Sequence, residues 1–215
     1  PSHPATHHHS PLPRVISLIG TRPAIQVGRH QVLHYDTSWL GDALRRAADA
    51  AERHDFPFVD EIRIGIETYL ETKCPLKLLS LEELFEKMRH MLNRIGCESI
   101  AENLKPLAPP VTLSLVHAAM EAGNGYELAF FTALRKELKE LHEAGAEQIR
   151  FTGLRESAQL LCGTPKWDRR CEQLLADIRL FLGRLDREQE PLERPLKLSV
   201  ESERGEEEAA DFGSD

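Results

Sequence analysis

One stretch, residues 78–101 with the sequence LLSLEELFEKMRHMLNRIGCESIA, carries more agreeing helix signals than any other part of the chain. Ser80 and Glu83 have the spacing of a capping box, in which the hydroxyl and the carboxylate each accept from a backbone amide. Gly96 stands where a left-handed residue commonly ends a helix. Apolar residues recur at intervals of three and four, so one face is expected to be buried. This face consists of Leu81, Leu84, Phe85, Met88, Leu92 and Ile95.

Helical spacing of apolar residues is found in several other segments. We predict helices near residues 38–51, 58–74 and 125–143, and a last long helix that Thr164 and Pro165 begin and that runs to residue 185. The β-branched runs at residues 15–19 and 26–35 are typical of the two strands of a hairpin. The predicted fold is mainly α (α+β), with an N-terminal β-hairpin packed on a helical bundle and a second, mostly helical domain.

Residues 111–122 allow two interpretations. The Pro pair before them and the Gly after them favour a helix. Residues 111–116 would also suit a buried strand. If they formed a parallel neighbour of residues 149–152, the second domain would be α/β.

Proline and charge divide the chain into five parts. Residues 1–13, rich in Pro, His and Ser, are predicted to be a disordered leader. The three prolines of residues 105–110 predict a linker between a domain at 14–104 and another at 111–185. Residues 186–215 contain 11 acidic and 4 basic residues, so a disordered acidic tail is predicted.

Composition excludes several classes of function. Without the tail the chain has 24 acidic and 23 basic residues, which is not the charge of a non-specific nucleic-acid binder. No segment has the roughly 20 apolar residues that span a bilayer. The four cysteines are scattered and form no zinc-binding pair. We therefore expect a cytoplasmic protein with no membrane or nucleic-acid partner and no metal.

The domain at residues 14–104 resembles the ATP-cone, a small nucleotide-binding regulatory domain. That family has a first strand of the type VIKRDG, then an aromatic-Asp pair that opens a helix, and later a segment like SVEEIQDLVEKALMEAGYYEVAKAY. The matching residues here are Val15-Ile16-Ser17-Leu18-Ile19-Gly20, Tyr35-Asp36, Leu79-Ser80-Leu81-Glu82-Glu83-Leu84, Gly96 and Ile100-Ala101.

The resemblance implies a non-catalytic, nucleotide-sensing regulatory module that binds ATP or dATP and associates with itself or with a protein partner. The family holds phosphates with the Lys-Arg of its first strand and a Lys of its first helix. Ser17, Leu18 and Trp39 occupy those positions here. Arg22 and Arg29 are the nearest basic residues, and Trp39 is an aromatic ring on which a base could stack. These three residues are the predicted nucleotide-binding residues.

Two other functions remain open. The first is a helical protein-interaction scaffold that has lost nucleotide binding. The second is an α/β enzyme in which the turn formed by Gly123, Asn124 and Gly125 binds an anion at the start of the next helix. No catalytic residue can be assigned from spacing, because such groups meet only in three dimensions.

Overall fold

A computed structural model of the chain describes residues 22–123, 125–188 and 196–201. Within them the protein is mainly α with a small β content, as the sequence predicted. The helices are α1 (Ser38–Ala50), α2 (Val59–Thr72), α3 (Leu81–Arg94), α4 (Glu98–Asn103), α5 (Leu115–Ala122), α6 (Glu127–Glu143), α7 (Leu154–Cys162) and α8 (Arg169–Glu188). The strands are β1 (Ala24–Val27), β2 (His30–Val32), β3 (Leu78–Ser80), β4 (Val111–Ser114), β5 (Gln148–Thr152) and β6 (Lys197–Val200).

The N-terminal half contains a three-stranded sheet in the order β2-β1-β3. β1 and β2 form an antiparallel hairpin whose tight turn includes Gly28, with φ at +57°. The prediction of a single strand over residues 26–35 is therefore wrong, because this turn divides it. The other predicted strand, residues 15–19, lies outside the described residues. β3 pairs with β1 in parallel, which places the start of α3 beside the hairpin.

α3 forms for the local reasons that its sequence shows. Ser80 Oγ accepts a hydrogen bond from the Glu83 amide at 3.1 Å, and Gly96 follows the helix with φ at +79°. Phe85 is completely buried between the helices. The helix is shorter than the predicted stretch, because residues 78–80 pair as a strand and Glu98 begins a separate helix.

The second half contains a parallel sheet in the order β4-β5-β6. Leu113 of β4 lies opposite Phe151 of β5, which lies opposite Val200 of β6. The preference for a continuous helix over residues 111–122 is wrong for its first four residues, and α5 begins only at Leu115. Alternate residues of β4 are buried, as in a strand that has one face in the core. The strand interpretation is confirmed for residues 111–114, which pair in parallel with β5 as that interpretation required.

Residues 186–188 and 196–201 also differ from the sequence prediction. α8 continues to Glu188, and β6 then adds the third strand, with Leu196 only 3% exposed beside it. The Leu198 amide donates to Asp186 Oδ1 at 3.1 Å. The prediction of a disordered tail from residue 186 is thus wrong for residues 186–188 and 196–201. Residues 1–13, 189–195 and 202–215 lie outside the described residues. The start of α8 also differs from the prediction, in which Thr164 was the cap. The helix begins at Arg169, and Asp168 Oδ1 accepts a hydrogen bond from the Cys171 amide.

The predicted linker lies against the second half of the chain. Leu107 and Ala108 are buried, and the Ala108 amide donates to the Gly145 carbonyl at 2.9 Å. Apolar side chains of both halves form one continuous core. The division into two domains stays a prediction, whereas the packing of the two halves against each other is observed. None of the described helices is both long and apolar enough to cross a bilayer.

Candidate functional site

A cleft of about 550 Å³ opens at the amino end of α1. It lies between the segment that follows the hairpin and the side of α2. Three of its eight lining residues are arginines, and they come from three separate parts of the chain. The lining residues are Arg22, Tyr35, Asp36, Thr37, Ser38, Arg45, Arg63 and Glu67.

Arg22 crosses from the segment before β1 to the side of α2. Its Nε and Nη2 atoms donate to Glu71 Oε1 at 2.9 and 2.6 Å, and Nη2 also contacts Glu67. Its Nη1 donates to the Tyr35 carbonyl at 3.1 Å. The hydrogen bond to Glu71 is the main reason why the pKa of Arg22 is raised above its ordinary value. Arg22 therefore remains cationic at the mouth of the cleft.

Arg63 and Glu67 form a second set of contacts within the cleft. Arg63 Nη1 donates to Thr37 Oγ1 at 2.9 Å and to Glu67 Oε2 at 3.2 Å. Thr37 in turn donates to the same Glu67 oxygen at 3.1 Å. Glu67 thus lies between two guanidinium groups, those of Arg22 and Arg63. Arg45 completes the basic lining from α1, where it pairs with exposed carboxylates.

The amino end of α1 is shaped by Asp36. Its Oδ1 atom accepts from the Ser38 amide at 2.8 Å and from the Ser38 hydroxyl. These bonds stabilise the carboxylate and lower the pKa of Asp36. The Thr37 hydroxyl makes no capping bond to the helix, because it is held by Arg63 and Glu67 instead.

Trp39 lies in the core beneath this cleft. It is 3% exposed, and its Nε1 atom donates to the Asp36 carbonyl at 2.8 Å. The rings of Tyr35 and Phe85 lie 6.3 Å from the Trp39 ring, measured between centroids. A base could stack on Trp39 only after the ring left the core. Tyr35 is the aromatic residue that lines the cleft, and burial raises its pKa to about 12.

The structure does not bring Arg29 to this cleft. Arg29 follows Gly28 in the hairpin turn, and its Nη2 atom lies 2.9 Å from Glu137 Oε1 on α6. His30 Nε2 lies 2.9 Å from the same oxygen. Of the three predicted nucleotide-binding residues, Arg22 lines the cleft, Trp39 supports it and Arg29 contacts the other half of the chain.

The glycine turn before α6 is already engaged with the protein. The amide of Gly123 donates to Ala119 O at 3.0 Å, and the amide of Gly125 donates to Leu161 O at 2.9 Å. Both glycines have positive φ, and Asn124 lies outside the described residues. The parallel strands that would favour a phosphate site are present, but these two amides have protein acceptors.

Sequence reasoning missed Thr37, Arg45, Arg63 and Glu67 as cleft residues. The i,i+4 spacing of Arg63 and Glu67 indicated that they share a helix face. Nothing in the sequence indicated that this face turns toward the start of α1. Within the described residues, no group of three or more His, Cys, Asp or Glu side chains is arranged to hold a metal ion.

Comparisons of this chain with protein-family models, with curated proteins and with solved structures find no match.

Proposed function

We propose that this protein is a nucleotide-sensing regulatory module of the ATP-cone type that binds ATP or dATP in the cleft at the amino end of α1. One observation carries the proposal: Arg22, Arg45 and Arg63 line the same cleft. A polyphosphate loses much of its hydration on binding, and guanidinium groups replace it with charge-assisted, often bidentate hydrogen bonds. The positive end of the α1 dipole favours an anion in the same place.

The proposed site differs from that of the family in the residues that would hold phosphate. The family's Lys-Arg positions correspond to Ser17 and Leu18 in this chain. Neither residue is basic. The proposed site therefore takes its cations from Arg22, Arg45 and Arg63, which replace the family's lysines by guanidinium groups from other elements.

Glu67 has a defined part in the proposed site. Its carboxylate forms ion pairs with the guanidinium groups of Arg22 and Arg63. A bound polyphosphate would take over these contacts, and the Glu67 carboxylate would repel it. Nucleotide binding would then replace the ion pairs between Glu67 and the arginines by ion pairs between phosphate and the arginines. Because Glu67 is on α2, this exchange would link nucleotide binding to the position of α2.

Calorimetric titration of ATP and dATP into the full chain tests this proposal. We expect saturable binding, and a roughly tenfold or larger loss of affinity for Arg63→Ala and Arg22→Ala. Arg29→Ala is the matched control, because it removes the same charge outside the cleft and should leave affinity unchanged. Absence of binding, or an equal loss in all three variants, would contradict the proposal.

A second candidate function, a helical protein-interaction scaffold, is favoured by a groove between α2 and α3. The groove has a volume of about 600 Å³ and is mostly apolar, with three basic residues among those that line it. Its residue Ile95 is 54% exposed, although it is large and apolar. The lining residues are Gly65, Ile66, Tyr69, Leu84, Lys87, Met88, His90, Met91, Arg94 and Ile95.

Sedimentation velocity with and without ATP separates the two candidates. Self-association that requires ATP and is abolished by Ile95→Glu would support a sensor that acts through this groove. Self-association that does not depend on ATP and is abolished by the same variant would support the scaffold. A monomer under every condition would contradict self-association through the groove.

A further inference from the structure

A second cleft, of about 730 Å³, lies between the two halves of the chain. Its residues come from α1, from the end of α4 and the segment after it, and from the starts of β5 and β6. The cleft is separate from the one at the amino end of α1 and shares no lining residue with it. It is lined by Ala43, Arg46, Ala47, Ala50, Asn103, Lys105, Pro106, Glu147, Gln148 and Lys197.

The charges in this cleft are not balanced. Glu147 is the single acidic residue among the described residues that line it, and both of its carboxylate oxygens accept from Arg46 Nη1 at 2.8 and 2.7 Å. Neither Lys105 nor Lys197 has an ion-pair partner among the residues that the structure describes. The lining therefore carries two cations in excess, in a chain whose formal net charge is −8.

The cleft also has an apolar side. Ala43 and Ala47 of α1 are buried and present only methyl groups, and Pro106 adds a ring beside them. A volume of about 730 Å³ is within the range of sites that hold small organic molecules. The cleft thus combines an apolar wall with two ammonium groups that have no ion-pair partner in the part of the chain that the structure describes, which suits a ligand that has one neutral part and one anionic part.

We infer that this cleft binds a small phosphate monoester. Such a group carries about −1.5 to −2 charges at pH 7 and three strong acceptor oxygens, which matches the excess of two cations. Lys105 and Lys197 are the residues that bind the phosphate, and the neutral part of the ligand lies against Ala43 and Ala47. The ligand would contact α1 of the first half through Ala43 and Ala47, Lys105 in the segment between the halves and Lys197 in the second half, so it joins the two halves.

The site does not depend on nucleotide binding at the other cleft. The charge and the volume of the cleft identify it as a ligand site. Its place in the fold does not, because it lies at the amino ends of β5 and β6. Ligands of open α/β sheets more commonly bind at the carboxyl ends.

The experiment is an amide-resolved NMR titration of the full chain with phenyl phosphate. We expect saturable shifts at Lys105, Gln148 and Lys197. The variant Lys105→Gln with Lys197→Gln should bind roughly tenfold more weakly or worse, since it loses both charge-assisted contacts. Both side chains are exposed, so this variant should keep the wild-type circular dichroism spectrum.

The matched control is Lys136→Gln with Lys139→Gln, which changes the net charge equally on the exposed face of α6. It should bind phenyl phosphate as tightly as the wild type does. Absence of saturable shifts at the three amides, wild-type affinity in the Lys105 and Lys197 variant, or an equal loss in the control would each overturn the proposal. Inorganic phosphate should bind more weakly than phenyl phosphate, and equal affinity would overturn the role given to Ala43 and Ala47.

Discussion

Arg46 and Glu147, which are 101 positions apart in the chain, are joined by two hydrogen bonds of 2.8 and 2.7 Å. The Glu147 side chain is only 10% exposed, whereas that of Arg46 is 57% exposed. Arg45, the preceding residue of α1, lines the proposed nucleotide cleft. One helix thus presents adjacent arginines to the proposed nucleotide cleft and to the second half of the chain.

Replacing Arg46 by Ala should destabilise the protein by about 1 to 3 kcal/mol, because it leaves the poorly exposed Glu147 carboxylate without its partner. Arg45→Ala is the control, since its carboxylate partners are exposed and such pairs contribute about 0 to 1 kcal/mol. Urea unfolding of the three proteins measures the difference. Equal free energies of unfolding for both variants would show that the Glu147 contact contributes nothing.

Gly153→Ala should destabilise the protein by roughly 2 to 4 kcal/mol. Gly153 has φ at +71°, and an added Cβ would lie 2.5 Å from Val116 Cγ2. Gly183→Ala should have the opposite sign and stabilise by up to about 1 kcal/mol, because Gly183 is in the interior of α8 with open space around it. Thermal unfolding would measure both changes in stability. A Gly153→Ala variant as stable as the wild type would contradict the observed packing of α7 on α5.

Removing β6 should destabilise the second half of the chain. A protein that ends at residue 195 loses the buried Leu196 and the strand pairing with β5, and we expect a loss of at least about 2 kcal/mol. A protein that ends at Glu201 keeps every described residue and should unfold at nearly the temperature of the full chain. Equal melting temperatures for the two truncations would contradict the role of β6.

Glu137 should make folding stability depend on pH in the acid range. The contact of its Oε1 atom with His30 Nε2 at 2.9 Å is the main reason why its pKa is lowered from the ordinary value of 4.5, and the contact with Arg29 acts in the same direction. Because the folded pKa is the lower one, the stabilisation is present above pH 4.5 and is lost as the pH falls through the folded pKa.

The stability difference between the wild type and Glu137→Gln should therefore shrink as the pH falls below 4.5. Free energies of unfolding at a series of pH values measure it. At pH 7 the exposed control Glu143→Gln should change stability by less than about 0.5 kcal/mol. A pH-independent difference between wild type and Glu137→Gln would contradict the assignment.

Glu67→Gln should tighten ATP binding, because it removes the carboxylate that competes with phosphate for Arg22 and Arg63. Calorimetry should show a higher affinity, whereas Glu61→Gln, on the same helix but outside the cleft lining, should show little change. Weaker ATP binding in the Glu67 variant would mean that Glu67 holds the arginines in place and does not compete with the ligand.

The sequence predicted α3 and the helical character of the chain, because the signals involved act over a few residues. The Ser80 cap, Gly96 and the apolar stripe around Phe85 all operate within one or two helical turns. The same local reasoning was wrong at residues 111–114, since β4 is a strand only because β5 pairs with it. It was also wrong at residues 196–200, where β6 forms on the edge of β5 in a region of acidic composition.

The sequence alone determined α3 and most of the other helices, although it did not predict α7, and it identified Arg22 as a candidate nucleotide-binding residue. Only the tertiary structure decided the composition of the two clefts. Arg22 contacts Glu67, which is 45 positions away in the sequence. Lys105 and Lys197 line the same cleft because the two halves of the chain pack against each other. Such contacts depend on how whole elements pack, and no local propensity specifies that packing.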